Sequence, residues 1–412
     1  MLNIYFFINI IIYSSVLSFF IPFASKSISF CEISIITFGA LILIQNYFRN
    51  IHLNKFEFIF MLFSLSKLSF KNLNFTLRSL SAALFIGSLN LYKYNQKMIN
   101  IISNTSFNII LITTFGAFIN SILGNSLWAR FLLFMNLLPQ NVNKIQIQTW
   151  WNNENGIISF FVTQNMLAQF IFIIFILIDI LKSQNYISNR KFFISISCIG
   201  YLLYMTKTSL GFFGLILLGI YLAKNYLINF INLTKKNILE GKIKLNHIFI
   251  IIFLSLVFLI FASERNLIFN QLNNGKMFLE SILYFDKMTI SEDFLDTSEF
   301  NRFYYSKIFF ENLDKCALIG ESSFLSETQY NPHNFYLSIA HYQGLLPLVI
   351  YLSFLASLFF NKIRIKEINS SYKLLFLYLL IGGFQGDFFS DSRSLLPLLL
   401  ILFIGDSKKL NN

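Results

Sequence analysis

Apolar residues come in long runs along the chain, near 2–23, 30–48, 56–70, 78–94, 107–124, 157–181, 191–206, 208–228, 246–262, 335–360, 372–389 and 393–405. Most approach the ~20 residues that a helix needs to cross a hydrocarbon core. The pattern predicts an all-α, polytopic membrane protein of about twelve transmembrane helices. The third and the last runs are short enough to be re-entrant. The first begins at Leu2 with no basic segment before it and no small-residue cleavage site after it, so it reads as a span and not as a removed signal. Two polar stretches, 125–156 and 263–334, interrupt the runs. They divide the chain into a bundle of about nine spans (1–262), a long loop with short amphipathic helices (263–334), and about three further spans (335–412).

Composition and charge sharpen this picture. With 55% hydrophobic and 13% charged residues, the chain is too apolar for a soluble domain. Its net charge of +12 does not imply nucleic acid, because the basic residues sit between apolar runs and form no basic module. They sort by side instead. With the N-terminus inside, the inner links hold Arg49, Lys55, Lys93, Lys97, Lys182, Arg190, Lys191 and the lysines of 224–244. Lys362, Arg364, Lys366, Lys373, Lys408 and Lys409 complete the set, which is more than half of the 32 Lys and Arg. Both termini are therefore expected in the cytoplasm and the long loop outside. Cys31, Cys198 and Cys316 have no metal-ligand spacing and imply no disulfide framework.

Candidate chemistry concentrates where the long loop meets the tenth run, at Tyr330-Asn331-Pro332-His333-Asn334 and on to His341 and Gly344. Asn331 suits a helix cap and Pro332 the first helical position, which puts His333 and Asn334 in the first turn and Gly344 on the face of His333. A neutral histidine there fits a general base beside an anion site; a capped, satisfied interface histidine fits the same pattern. Asn334 suits a positioning or sugar-binding role, or capping alone. Upstream, 301–312 reads as a short amphipathic helix on the membrane surface, with Arg302 on it. Lys207, Arg265, Arg130 and Arg393 are further outer cations, and solvated helix-flanking roles account for each equally well. Residues 125–156 contain Trp128 and the pair Trp150-Trp151; paired tryptophans flanking a span suit an aromatic belt. Lys67 and Asp179 lie close enough to span ends to snorkel.

Three segments in order resemble the O-antigen ligase and polymerase family of bacterial polysaccharide-assembly enzymes. They are Gly156-Ile157-Ile158-Ser159-Phe160-Phe161 leading to Asn165 and Ala168, then Thr206-Lys207-Thr208-Ser209-Leu210-Gly211, and then Arg302, Gly320, His333-Asn334 and Gly344. The resemblance covers about residues 155–350. It departs from the family at Leu210, where an Arg is expected, and at Pro347. It implies transfer of a glycan from an undecaprenyl-pyrophosphate donor to an acceptor hydroxyl, of lipid A core or of a growing glycan, on the periplasmic face of the inner membrane. It implies His333 and Arg302 as catalytic residues, with Lys207, Asn334, Arg265, Arg130 and Arg393 as candidates for binding substrate. No metal or other cofactor is expected, and the chain contains no Asp-x-Asp pair to hold one. Membrane lipids are expected partners and nucleic acid is not. The alternative class is a lipid-linked oligosaccharide flippase or polysaccharide transporter, which the single long outer loop disfavours.

Reporter fusions after Lys287 and at the C-terminus should report opposite compartments. A cytoplasmic signal at Lys287 would overturn the topology.

Overall fold

The computed structural model describes residues 4–18, 20–23, 26–45, 53–66, 73–92, 95–139, 156–222, 309, 312–320, 322, 334–360, 366–383 and 392–404. Arg265, Arg302, Asn331, Pro332 and His333 lie outside the described residues, as do Lys67, Trp150, Trp151, the run 246–262 and most of the helix expected at 301–312.

Among the described residues there are thirteen α-helices and one small antiparallel hairpin of two strands. The order is α1 (Ile4–Ser14), β1 (Phe20–Phe23), β2 (Lys26–Ser29), α2 (Phe30–Gln45), α3 (Lys55–Ser66), α4 (Leu73–Asn90), α5 (Gln96–Leu123) and α6 (Asn125–Phe134). It continues with α7 (Gln164–Ser183), α8 (Asn189–Met205), α9 (Ser209–Leu222), α10 (Phe335–Tyr342), α11 (Leu345–Phe359), α12 (Lys366–Gly382) and α13 (Ser392–Ile404).

Several helices begin where a side chain takes the first free N–H groups. At α2, Ser29 and Glu32 exchange reciprocal bonds of 3.2 Å. At α3, Asn54 and Glu57 do the same at 2.7 and 2.8 Å. This second box also fastens one end of the bundle, because Asn90 Nδ2 at the end of α4 donates to Glu57 and Asn54 Nδ2 donates to the Leu402 carbonyl of α13.

Helix α7 is the hub. Every residue from Leu167 to Leu181 is buried, and α5, α8, α9, α12 and α13 all pack on it. A helix apolar around its whole circumference is stable only inside such a shell. Phe172 stacks on Tyr378 with centroids 4.0 Å apart, and Gly214 lets α9 close on both. Since Phe172 meets Tyr378 while Asp179 meets Ser371, α7 and α12 run antiparallel, which brings residue 168 level with residue 382 and the start of α7 to the close of α12.

Helices α5 and α7, of 28 and 20 residues, are long and apolar enough to cross a membrane, and seven shorter apolar helices accompany them. Leu111, Phe115, Phe118 and Ile122 form an exposed apolar stripe on α5, and Leu346, Val349 and Leu352 begin another on α11. Exposed stripes of this kind are what a lipid-facing surface presents.

Four expectations are corrected. The run 335–360 is two helices, broken at Gln343 and Gly344, so Gly344 shares no helical face with residues before the break. The helix there starts at Phe335, capped by Asn334, and not at Pro332 capped by Asn331. Only the part of the run 157–181 from Gln164 onward is helical. Finally, Asp179 does not snorkel: it is 4% exposed, and one of its carboxyl oxygens accepts from Tyr221 of α9 at 2.6 Å and from Ser371 of α12 at 2.5 Å.

Because both hydroxyls reach the same oxygen, Tyr221→Phe and Ser371→Ala should each lower stability by about 0.5–2 kcal/mol and the pair should be non-additive. Thermal unfolding of the four proteins in detergent checks this. Additive losses would mean that the two bonds act independently.

Candidate functional site

The most constrained part of the bundle is the non-helical segment 156–163 at the end where α7 begins. Its apolar side chains, Ile157, Ile158, Phe160 and Phe161, are buried, so its backbone is buried with them and needs partners. Side chains from α5 and α6 supply them. Asn120 Oδ1 accepts from Ile158 N at 2.9 Å and from Ser159 N at 3.1 Å. The Gly156 carbonyl accepts from Asn125 Nδ2 at 2.5 Å and Gln164 Nε2 at 2.9 Å. Trp128 Nε1 donates to the Ser159 carbonyl at 2.5 Å, and Ser159 Oγ donates to the Thr113 carbonyl at 2.9 Å. Trp128 is therefore a buried strut. Ser159 holds φ +48, a left-handed conformation this web imposes. Thr163 then caps α7 by accepting from Met166 N.

The second resembling segment lies directly against the first. Ile157 N donates to the Met205 carbonyl at 2.9 Å, and a methyl group at Gly156 would overlap the Thr206 carbonyl. Gly211 is needed for a similar reason, since a methyl group there would meet the Thr206 hydroxyl. Between them Lys207 takes φ +53 and rests its ammonium 3.9 Å above the Tyr204 ring. Leu210 is buried, so no cation occupies that position.

Among the described residues the buried cation is Arg393. It lies at the start of α13 with 0% exposure, and its guanidinium sits between the rings of Phe20 (4.9 Å) and Phe161 (5.2 Å). It donates to the Phe160 carbonyl at 3.1 Å. A planar cation between two aromatic faces keeps its charge stabilised where an ammonium would be poorly held. Arg130, by contrast, is exposed on α6.

The third segment is tied to the same end. Asn334 takes φ −135 and ψ 120 and accepts from Tyr336 N (3.0 Å) and Leu337 N (3.3 Å), so its side chain is spent on capping α10. Phe335 N donates to the Gly383 carbonyl, and Tyr336 Oη to Leu380 of α12 at 2.7 Å. Residues 317–320 and Ser322 bond with 341–346: Ser322 N donates to the His341 carbonyl, Gly320 N to that of Gln343, Leu345 N to that of Ala317 and Leu346 N to that of Leu318. Gly344, at φ +103, permits this, because a Cβ would come within 2.6 Å of the Leu318 carbonyl oxygen. Burial pushes the neighbouring Cys316 thiol up, and no disulfide joins the three cysteines.

Lys207 and Arg393 are thus brought to one loop, and Asn334 to the same end by way of α12. Asn120, Asn125, Trp128 and Gln164 were missed by sequence reasoning. Their signal was the presence of amides and an indole at the close of an apolar run and around Gly124.

Gly156→Ala should cost about 1–3 kcal/mol, since the clash is with backbone and cannot be relieved by a rotamer. Gly87→Ala, whose new methyl would sit 3.5 Å from a Leu43 methyl, should be neutral or stabilising. Melting temperatures in detergent test the pair, and an unchanged Gly156→Ala would remove the close approach. Compared with known proteins, the chain matches no family model, no curated protein and no solved structure.

Proposed function

We propose that the chain is a polytopic inner-membrane glycosyltransferase of about twelve spans, similar to O-antigen ligases and polymerases. It moves a glycan from an undecaprenyl-pyrophosphate donor to an acceptor hydroxyl at the periplasmic face. One observation carries the reading: the separate segments that bear the resemblance converge at one end of the bundle. Gly156 lies against Thr206, Arg393 reaches Phe160, and α10 is tied to the close of α12 at Gly383.

In this reaction the acceptor oxygen attacks the anomeric carbon and the bond from that carbon to the pyrophosphate oxygen breaks. The acceptor proton passes to His333, and undecaprenyl pyrophosphate leaves with the extra negative charge. Fixed cations must meet that charge, and Arg302 takes this role first through its planar fork. Lys207 and Arg265 are the next cations for the anionic donor. Arg393 fills the need created by Leu210 indirectly, by holding the Phe160 carbonyl and with it the loop. Asn334 supports the stretch as the cap that fixes where α10 begins. The flippase reading draws on the buried Asp179, an ionisable group inside a span. Its two hydroxyl donors suit a strut between helices better than a moving charge.

Purified protein given lipid-linked donor and acceptor should form product in EDTA. His333→Gln should lower transfer by about 10²- to 10⁴-fold while donor binding persists, because Gln retains polarity but cannot take up the proton. Near-wild-type transfer by that variant would remove the catalytic reading, and translocation without product would favour the flippase.

A further inference from the structure

We propose that α6 is an interfacial helix seated in the outer phospholipid leaflet, with Arg130 at the depth of the lipid phosphates. Three observations carry this, none of which depends on the enzymatic reading. First, the faces of α6 are divided. Trp128, Ala129 and Leu132 are buried, while Leu127, Phe131 and Phe134 are 59%, 48% and 83% exposed. At ~100° per residue those three form a single stripe on the side away from the buried face. Second, the stripe is continuous with another. It follows directly on the exposed stripe of α5, which ends at Ile122 and Leu123, and the chain turns between them at Gly124, φ +76. Since α5 is long and apolar enough to cross a membrane, the leaflet that covers its stripe reaches α6 at the point where the chain turns. Third, α6 contains no acidic residue, and its one charge, Arg130, is exposed about 60° from the stripe. A phosphate layer above an acyl layer complements that arrangement in both chemistry and order.

The placement has a consequence for the site. The opposite face of α6 sends Trp128 Nε1 to the Ser159 carbonyl, and Asn125 at its first turn holds Gly156. The helix therefore sets the depth of the 156–163 loop relative to the headgroups.

The test uses the full chain in vesicles of phosphatidylethanolamine and phosphatidylglycerol, with its own cysteines replaced by serine. Spin labels are introduced one at a time at Phe134→Cys, Leu127→Cys and, as a lipid-facing reference, Phe115→Cys. Collision with oxygen, which partitions into lipid, should exceed collision with a water-soluble nickel chelate several-fold at all three sites. A label at Arg130→Cys should fall between these and an aqueous site. Nickel accessibility at Phe134 equal to that of an aqueous site would overturn the proposal. So would low accessibility to both reagents, which would mean that protein and not lipid covers the face. If a labelled variant does not fold, hydroxyl-radical footprinting of the unaltered chain replaces it. Phe134 and Met135 should be several-fold less modified in vesicles than in short-chain detergent, and equal modification in both would overturn the proposal.

Discussion

A backbone that leaves its helix inside an apolar bundle must find its hydrogen bonds elsewhere, and the end of this bundle where α7 begins is built around that demand. Segment 156–163 carries side chains that belong in the core, so it cannot move out to solvent. Each unsatisfied N–H or carbonyl there would cost several kcal/mol in an apolar medium, roughly as much as several packing contacts gain. Asn120 meets two N–H groups with one oxygen, and two amides converge on the Gly156 carbonyl. The Trp128 indole covers the Ser159 carbonyl and the Arg393 guanidinium covers that of Phe160. Helices α5, α6, α7, α8 and α13 meet at this loop because it needs donors and acceptors from several of them.

The opposite end is held by a different device. There the capping box of Asn54 and Glu57 also receives Asn90 from the end of α4, and the closing carbonyls of α13 are met by side chains, Leu402 by Asn54 Nδ2 and Ile404 by Gln184 Nε2. Between the two ends, apolar packing does most of the holding. The burial of α7 on all sides maximises those contacts, and Asp179 adds the polar tie that links it to α9 and α12.

Much of the helical layout was legible because hydropathy reports burial, and burial follows element length. Helices α8 and α13 lie within two residues of the runs 191–206 and 393–405. Hydropathy does not report conformation, however. Ile157, Ile158, Phe160 and Phe161 read as the start of a span, and nothing local reveals that their backbone is irregular. The snorkelling expectation for Asp179 failed for a similar reason: its donors are 42 and 192 residues away in sequence. At the candidate site, the glycines were legible as positions and their causes were not. Gly156 and Gly344 each allow a backbone approach to a distant segment, and that segment cannot be identified from the glycine.

The break at Gly344 changes how the third segment works. A single helix from 335 to 360 would set Asn334 at the outer rim and each later residue progressively deeper. Instead, α10 folds back along α11. Phe335 and Tyr336 lie against Tyr351, and Phe335 N bonds the Gly383 carbonyl at the close of α12. Tyr351 is six residues into α11, about 9 Å along its axis at 1.5 Å per residue. The N-terminus of α10, whose first N–H groups are taken by the Gly383 carbonyl and by Asn334, is therefore recessed below the rim formed by Gly344 and residues 317–320. The glycine that breaks the span thus determines the depth at which α10 begins.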